Sequence, residues 1–172
     1  MLSSIAAVQS ELGHPDAALR AIEETLGISR ELAAADPGRY RPRLASALVS
    51  LGITLSELER PGDALTAEQE AVTLYRELPA ARPDWHRPDL ARSLDSLGVT
   101  LVELGRPAEA LAAAQEAVSI YRELAAASPD RYRPDLARSL GNLAQPMKLL
   151  GREDQATAAI DESAKLHPRP SR

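Results

Sequence analysis

His14, His86 and His167 are the only imidazoles in the chain, 72 and 81 residues apart, so none has a second nitrogen at the short spacing that holds zinc. Cysteine is absent, which removes disulfides, thiolate nucleophiles and sulfur-bound metal. The carboxylates Glu103, Glu109, Glu116 and Glu123 fall near arginines at helical spacing and read as a solvated helix face rather than an acid–base pair. No glycine-rich phosphate loop, nucleophile elbow or paired-carboxylate constellation is written anywhere. The chemistry expected of this chain is therefore non-covalent. Catalysis, metal binding and a cofactor are not expected.

What positions the side chains is a repeat. The block 88–133 restates the block 42–87 without a gap, and 29 of 46 positions are identical. The markers keep that step: Pro42, Pro88 and Pro134; Leu12, Leu58, Leu104 and Leu150; Ala18, Ala64, Ala110 and Ala156. A period between about 20 and 50 residues signals a stacked array of one supersecondary unit. The chain is expected to be one solenoid over residues 1–172, with repeats at 1–41 (truncated), 42–87, 88–133 and 134–166 and a frayed tail, 167–172.

Each repeat holds two amphipathic helices. Leu90, Leu94, Leu97, Leu101 and Leu104 step by 4, 3, 4 and 3, which places them on one helix face. Gly105 stops that helix, and Arg106-Pro107 starts the next after a connection so short that the two must run antiparallel. Ser128-Pro129-Asp130 is a turn signal that ends the second helix. Over the whole chain the template predicts an all-α fold of eight helices, at 2–12, 15–34, 42–58, 61–79, 88–104, 107–126, 134–150 and 153–166. Pro146 falls inside the seventh, at the repeat position of Thr54 and Thr100, where it removes a helical hydrogen bond and predicts a kink near Asn142. With no Phe and one Trp, the core must be built from Leu, Ala, Val and Ile, and small alanines let helix axes approach closely.

The formal charge of −5 argues against a nucleic-acid partner, which wants a basic face. No apolar run approaches the roughly 18 residues that span a bilayer, and the opening residues MLSSIAAVQSEL lack the basic region of a secretion signal. The expectation is a soluble cytoplasmic protein. The truncated first helix leaves Ile5, Val8 and Leu12 without a preceding repeat, an apolar end that would suit a homo-oligomer or a missing neighbour.

At this point the residues resemble the tetratricopeptide repeat, whose signature is W-x2-L-G-x2-Y followed by A-x3-F-x2-A. Leu94-x2-Leu97-Gly98-x2-Leu101 and Ala110-x3-Ala114-x2-Ala117 fit that spacing. Leu48, Leu51, Gly52, Leu55, Ala64, Glu68 and Ala71 repeat it, and Leu140, Leu143, Ala144, Met147, Ala156 and Ile160 follow more loosely. The aromatic positions have become Leu or Ala, and the unit has 46 rather than about 34 residues. Long-repeat members, such as kinesin light chain and many bacterial regulatory proteins, look similar.

The resemblance implies a right-handed superhelix whose first helices line a concave groove for a protein or peptide partner. Transferred from Gly98, the groove positions are Ser46, Val49, Ser50, Ile53, Ser56 and Glu57; Arg92, Asp95, Ser96, Val99, Val102 and Glu103; and Arg138, Gly141, Asn142, Gln145, Lys148 and Leu149. Val49, Ile53, Val99 and Val102 would form an apolar floor flanked by Arg92 and Arg138, suited to a segment that offers an acidic group. The family's clamp for a C-terminal carboxylate is largely missing, since Ser3, Ala7, Ser50, Arg92 and Ser96 occupy its positions. Trp85, with Arg39 and Arg131 as its equivalents, stands at a partly exposed position and is a candidate interface anchor. His86 shares its repeat position with Tyr40 and Tyr132 and is expected to replace a packing ring. A non-catalytic interaction module is expected first, with a self-assembling structural unit or the sensor part of a larger regulator as alternatives.

Overall fold

A computed structural model describes residues 15–78 and 83–166, with the side chains of 15, 16 and 83–85 outside the description. These residues form seven helices and no strand: α1 Pro15–Ala35, α2 Pro37–Glu57, α3 Pro61–Arg76, α4 Pro83–Glu103, α5 Pro107–Ala127, α6 Pro129–Leu149 and α7 Glu153–Leu166. The expected helix 2–12, with Ile5, Val8 and Leu12, and the tail 167–172 lie outside the described residues. The chain divides into two compact units, Met1–Ser96 and Leu97–Arg172.

The first helix of each repeat starts five residues earlier than the sequence predicts. Pro37, Pro83 and Pro129 open α2, α4 and α6, so Pro42, Pro88 and Pro134 lie inside them. Proline fits the first helical position because its missing N–H has no intrahelical partner there. In α2 the Asp36 side chain caps the start by accepting a hydrogen bond from the Arg39 N–H at 3.2 Å. The inner proline then forgoes a single bond close to the helix start. Pro146 is also accommodated: α6 continues helically through it to Leu149, and the Leu150 N–H donates to the Pro146 carbonyl at 3.1 Å.

Among the described residues the turns inside three repeats are built alike. The N–H groups of Arg60, Arg106 and Arg152 donate to the carbonyls of Leu55, Leu101 and Met147, five residues back, at 2.8–2.9 Å. This closure needs a left-handed residue just before the donor. Gly105 and Gly151 supply it at φ 69° and 70°, whereas the repeat 42–87 uses Glu59 at φ 57°.

Within the first unit α2 packs between α1 and α3. Leu26, Ala33, Leu44, Leu48, Val49, Ala67, Ala71 and Tyr75 form one buried cluster, onto which Tyr40, Leu51 and Leu90 pack. Ala45, Ala64 and Ala71 are fully buried, so the helices meet at methyl groups and approach closely. In the second unit α6 packs between α5 and α7 in the same manner, around Ala110, Ala117, Val118, Leu136 and Leu140. An arginine-to-glutamate bridge tops each unit, Arg30 to Glu70 and Arg122 to Glu162, both at 2.7 Å and at the same repeat position. These pairs are half exposed, so each contributes little stability.

Candidate interaction surface

Helical periodicity sorts α2 into two opposite faces. Leu44, Leu48, Leu51 and Leu55 point to the core side, while Ser46, Ser50, Ile53 and Glu57, in steps of 4, 3 and 4, line the other. Ser46, Ile53 and Glu57 are exposed and Ser50 is half-buried. The same steps recur on α4 at Arg92, Ser96, Val99 and Glu103, and on α6 at Arg138, Asn142, Gln145 and Leu149. Ile53 (43%), Val99 (44%) and Leu149 (57%) are exposed although apolar, so each of these three helices carries one accessible aliphatic group on an otherwise polar stripe.

Most of the expected groove residues fall on these stripes: Ser46 and Ile53 on α2, Arg92 and Val99 on α4, and Arg138, Asn142 and Gln145 on α6. Val49 and Asp95 do not. They share one repeat position, about 60° around the helix from Ser46 and Arg92 at roughly 100° per residue, and both are buried. Neither offers its side chain to a ligand. Val102, on the same flank, is half-buried. The Trp85 side chain lies outside the described residues.

The two arginines are already engaged. Arg92 pairs with Asp89 one turn before it, and Arg138 pairs with Asp135 at 3.2 Å. Both pairs are solvent-exposed, so a competing acidic group could take over either guanidinium at small cost. Beside the Arg92 pair, the Tyr75 hydroxyl of α3 is hydrogen-bonded to Ser46 of α2. Burial first and the Asp89 carboxylate second push its pKa up to about 12, while Arg92 and the Ser46 bond pull the other way. The Tyr75 ring also meets His86 at 6.5 Å between centroids, the packing role expected of that imidazole. This α2–α3–α4 contact was not singled out in the sequence, although Tyr75 and Tyr121 stand one period apart and Asp89 and Asp135 do likewise.

Glu68 is the second feature missed. It occupies the signature position held by Ile22, Ala114 and Ile160 in the other repeats, yet it is 1% exposed. It reaches from α3 between Gly52 of α2 and Ser96 of α4, and the Ser96 hydroxyl donates to its Oε1. An open depression of about 260 Å³ lies between α1 and α3, floored by Leu48, Leu51 and Leu55 of α2 and rimmed by Arg30, Glu70, Arg60 and Asp63. Among the described residues no group of three His, Cys, Asp or Glu is placed to hold a metal ion, and no helix is long and apolar enough to cross a membrane.

Residues 44–78 and 90–130 match the family model of the tetratricopeptide repeat. Over these residues the chain is built of tetratricopeptide repeats. A second model, anaphase-promoting complex subunit 5, matches residues 1–36. No curated protein matches the chain. Among solved structures, BtubC (BKLC) from P. vanneervenii superposes with a TM-score of 0.76 at 19% identity, covering 99% of this tetratricopeptide-repeat chain and 66% of BtubC. The MamA protein gives 0.61 at 16% identity, covering 96% and 70% of the two chains. An ArsTM double mutant of MamA RS-1 gives 0.62 at 18% identity, covering 97% and 74%. The chain thus spans just under two thirds of BtubC and somewhat more of MamA, and at these identities the likeness is one of fold. Tetratricopeptide-repeat proteins in general bind protein partners and are non-catalytic.

Proposed function

We propose that this protein is a non-catalytic protein-interaction module that holds a peptide segment or partner surface against the exposed helix stripes that recur in its repeats, that of α2 in the first unit and that of α6 in the second. The observation that carries this is the recurrence of those stripes at one repeat position, each with an exposed aliphatic group: Ile53, Val99 and Leu149. Monomeric surfaces scatter single apolar residues freely, but a periodic set on one face of successive like helices is what a docking surface requires. The exchangeable guanidiniums of Arg92 and Arg138 add a preference for a segment carrying carboxylates. Because the stripe residues stand on helices already packed from behind, the receptor gives up little conformational freedom on binding.

Partner capture from the source cell extract tests this, with wild-type bait beside a bait carrying Ile53→Glu, Arg92→Glu and Val99→Glu. All three positions are exposed, so the helical signal in circular dichroism should be kept. Proteins retained by the wild type and lost from the variant support the stripe as the site. Equal capture by both refutes it. Recovery of nothing but the chain itself from both baits would put self-association in its place.

A further inference from the structure

Repeats that agree at 29 of 46 positions have a folding problem of their own: a helix of one can take the place of its counterpart in another. Misassembly and swapping between like units are characteristic failures of repeat proteins. Most aliphatic positions that build the first-unit core do not tell α3 from α5, because Ala64, Leu65, Ala67, Ala71 and Val72 are answered by Ala110, Leu111, Ala113, Ala117 and Val118, and Leu74 meets another aliphatic residue of equal size, Ile120.

One fully buried position distinguishes them in both charge and volume. Glu68 on α3 is enclosed, its carboxylate takes the Ser96 hydroxyl, and its stem runs where Gly52 has no Cβ: a Cβ there would stand 2.6 Å from the Glu68 Cγ. The counterpart on α5 is Ala114. Placed in the α3 slot, α5 would leave the space over Gly52 empty and the Ser96 hydroxyl without this acceptor. We propose that Glu68 is a repeat address, fixing α3 rather than α5 as the helix that packs between α2 and α4. A single buried polar residue setting the register of interchangeable helices is the best-attested use of such groups.

Crosslinking tests the proposal in the full chain, which has no cysteine of its own. Arg30 of α1 reaches Glu70 of α3, and the counterpart of Glu70 on α5 is Glu116. An Arg30→Cys/Glu70→Cys chain treated with a short bifunctional thiol reagent after refolding from urea reports α3 in its slot. An Arg30→Cys/Glu116→Cys chain reports α5 in that slot. In the otherwise wild-type chain the first product should dominate. Glu68→Ala should raise the second roughly tenfold, the population change that goes with losing one buried hydrogen bond. Ala114→Glu, which gives α5 the same side chain over Gly98 and opposite Asn142, should raise it too, although Glu68 is intact. If Glu68→Ala lowers the melting temperature but leaves the second product at its wild-type level, Glu68 is only a stabilising group and the proposal fails. An Ala114→Glu chain that folds with no increase overturns it equally, and that arm survives even if Glu68→Ala does not fold.

Discussion

Gly52→Ala is the substitution whose sign is most informative. In a helix interior alanine is favoured over glycine by about 1 kcal/mol, so a helical glycine with free space should gain stability from the change. At position 52 the added Cβ would lie 2.6 Å from Glu68 Cγ and 3.3 Å from its Cδ and Oε1, against a comfortable carbon–carbon contact of roughly 3.5–4.0 Å. Something must therefore move by about 1 Å, and Glu68 is enclosed and tied to Ser96. Overpacking of this kind costs about 1–3 kcal/mol, and the middle to upper part of that range applies because the obstructing atom is mid-chain rather than a flexible end. Net of the propensity gain, Gly52→Ala should destabilise by about 1–2 kcal/mol, or several degrees in melting temperature for a chain of this size. In a Glu68→Ala background the obstruction is gone, as it is where Gly98 faces Ala114, and the same substitution should stabilise by up to ~1 kcal/mol. The coupling energy is then about 2–3 kcal/mol, well within what contacting residues show. Gly98→Ala is the internal control, since its nearest neighbour would be the Ala110 carbonyl oxygen at an ordinary 3.6 Å. Urea unfolding followed by far-UV circular dichroism on the four members of the cycle measures this. If Gly52→Ala stabilises the wild-type chain as much as Gly98→Ala does, Glu68 is free to swing aside and the tight α2–α3–α4 joint is wrong.

Glu59→Gly should stabilise the chain by about 0.5–1 kcal/mol, because it relieves the left-handed residue that the other two turns fill with glycine; a urea midpoint at or below that of the wild type would contradict it. Tyr75, neutral in the fold with a pKa of about 12 against an ordinary 10, contributes stability that is complete below pH 10 and lost as pH rises towards 12. A tenfold difference in proton affinity between the folded and unfolded chains is worth about 1.4 kcal/mol, so the Tyr75 contribution is at most ~3 kcal/mol. The difference between wild type and Tyr75→Phe, measured by urea unfolding across that window, isolates it, and parallel curves for the two would refute the assignment. Leu140→Ala, at a fully buried site in α6, should cost about 2–5 kcal/mol, whereas a double-mutant cycle on the exposed Arg30–Glu70 pair should return no more than ~1 kcal/mol.

How far the sequence can be read depends on which interactions the repeat averages over. The 46-residue period, the leucine stripe and the helix faces were legible because each records a core contact made in every unit, and repetition reinforces the signal. The helix starts were misplaced because Pro42, Pro88 and Pro134 carry the same period as Pro37, Pro83 and Pro129, and nothing in the spacing says which member of a proline pair occupies the first turn. Helical spacing alone sets Val49 and Asp95 beside the exposed stripe, but the flank they occupy turns inward: Val49 belongs to the first-unit core, and the buried Asp95 continues that flank one repeat later. The features that went unseen are those where one repeat departs from the others. Glu68 against Gly52, Glu59 in a glycine turn and the Tyr75–Ser46 contact are each made once in that form, so a template built from the common positions suppresses them. The period therefore supplies the scaffold, and what is particular to this chain must be sought where the period is broken. That is why Glu68, a carboxylate at a position otherwise filled by isoleucine or alanine, carries more information than the whole leucine stripe.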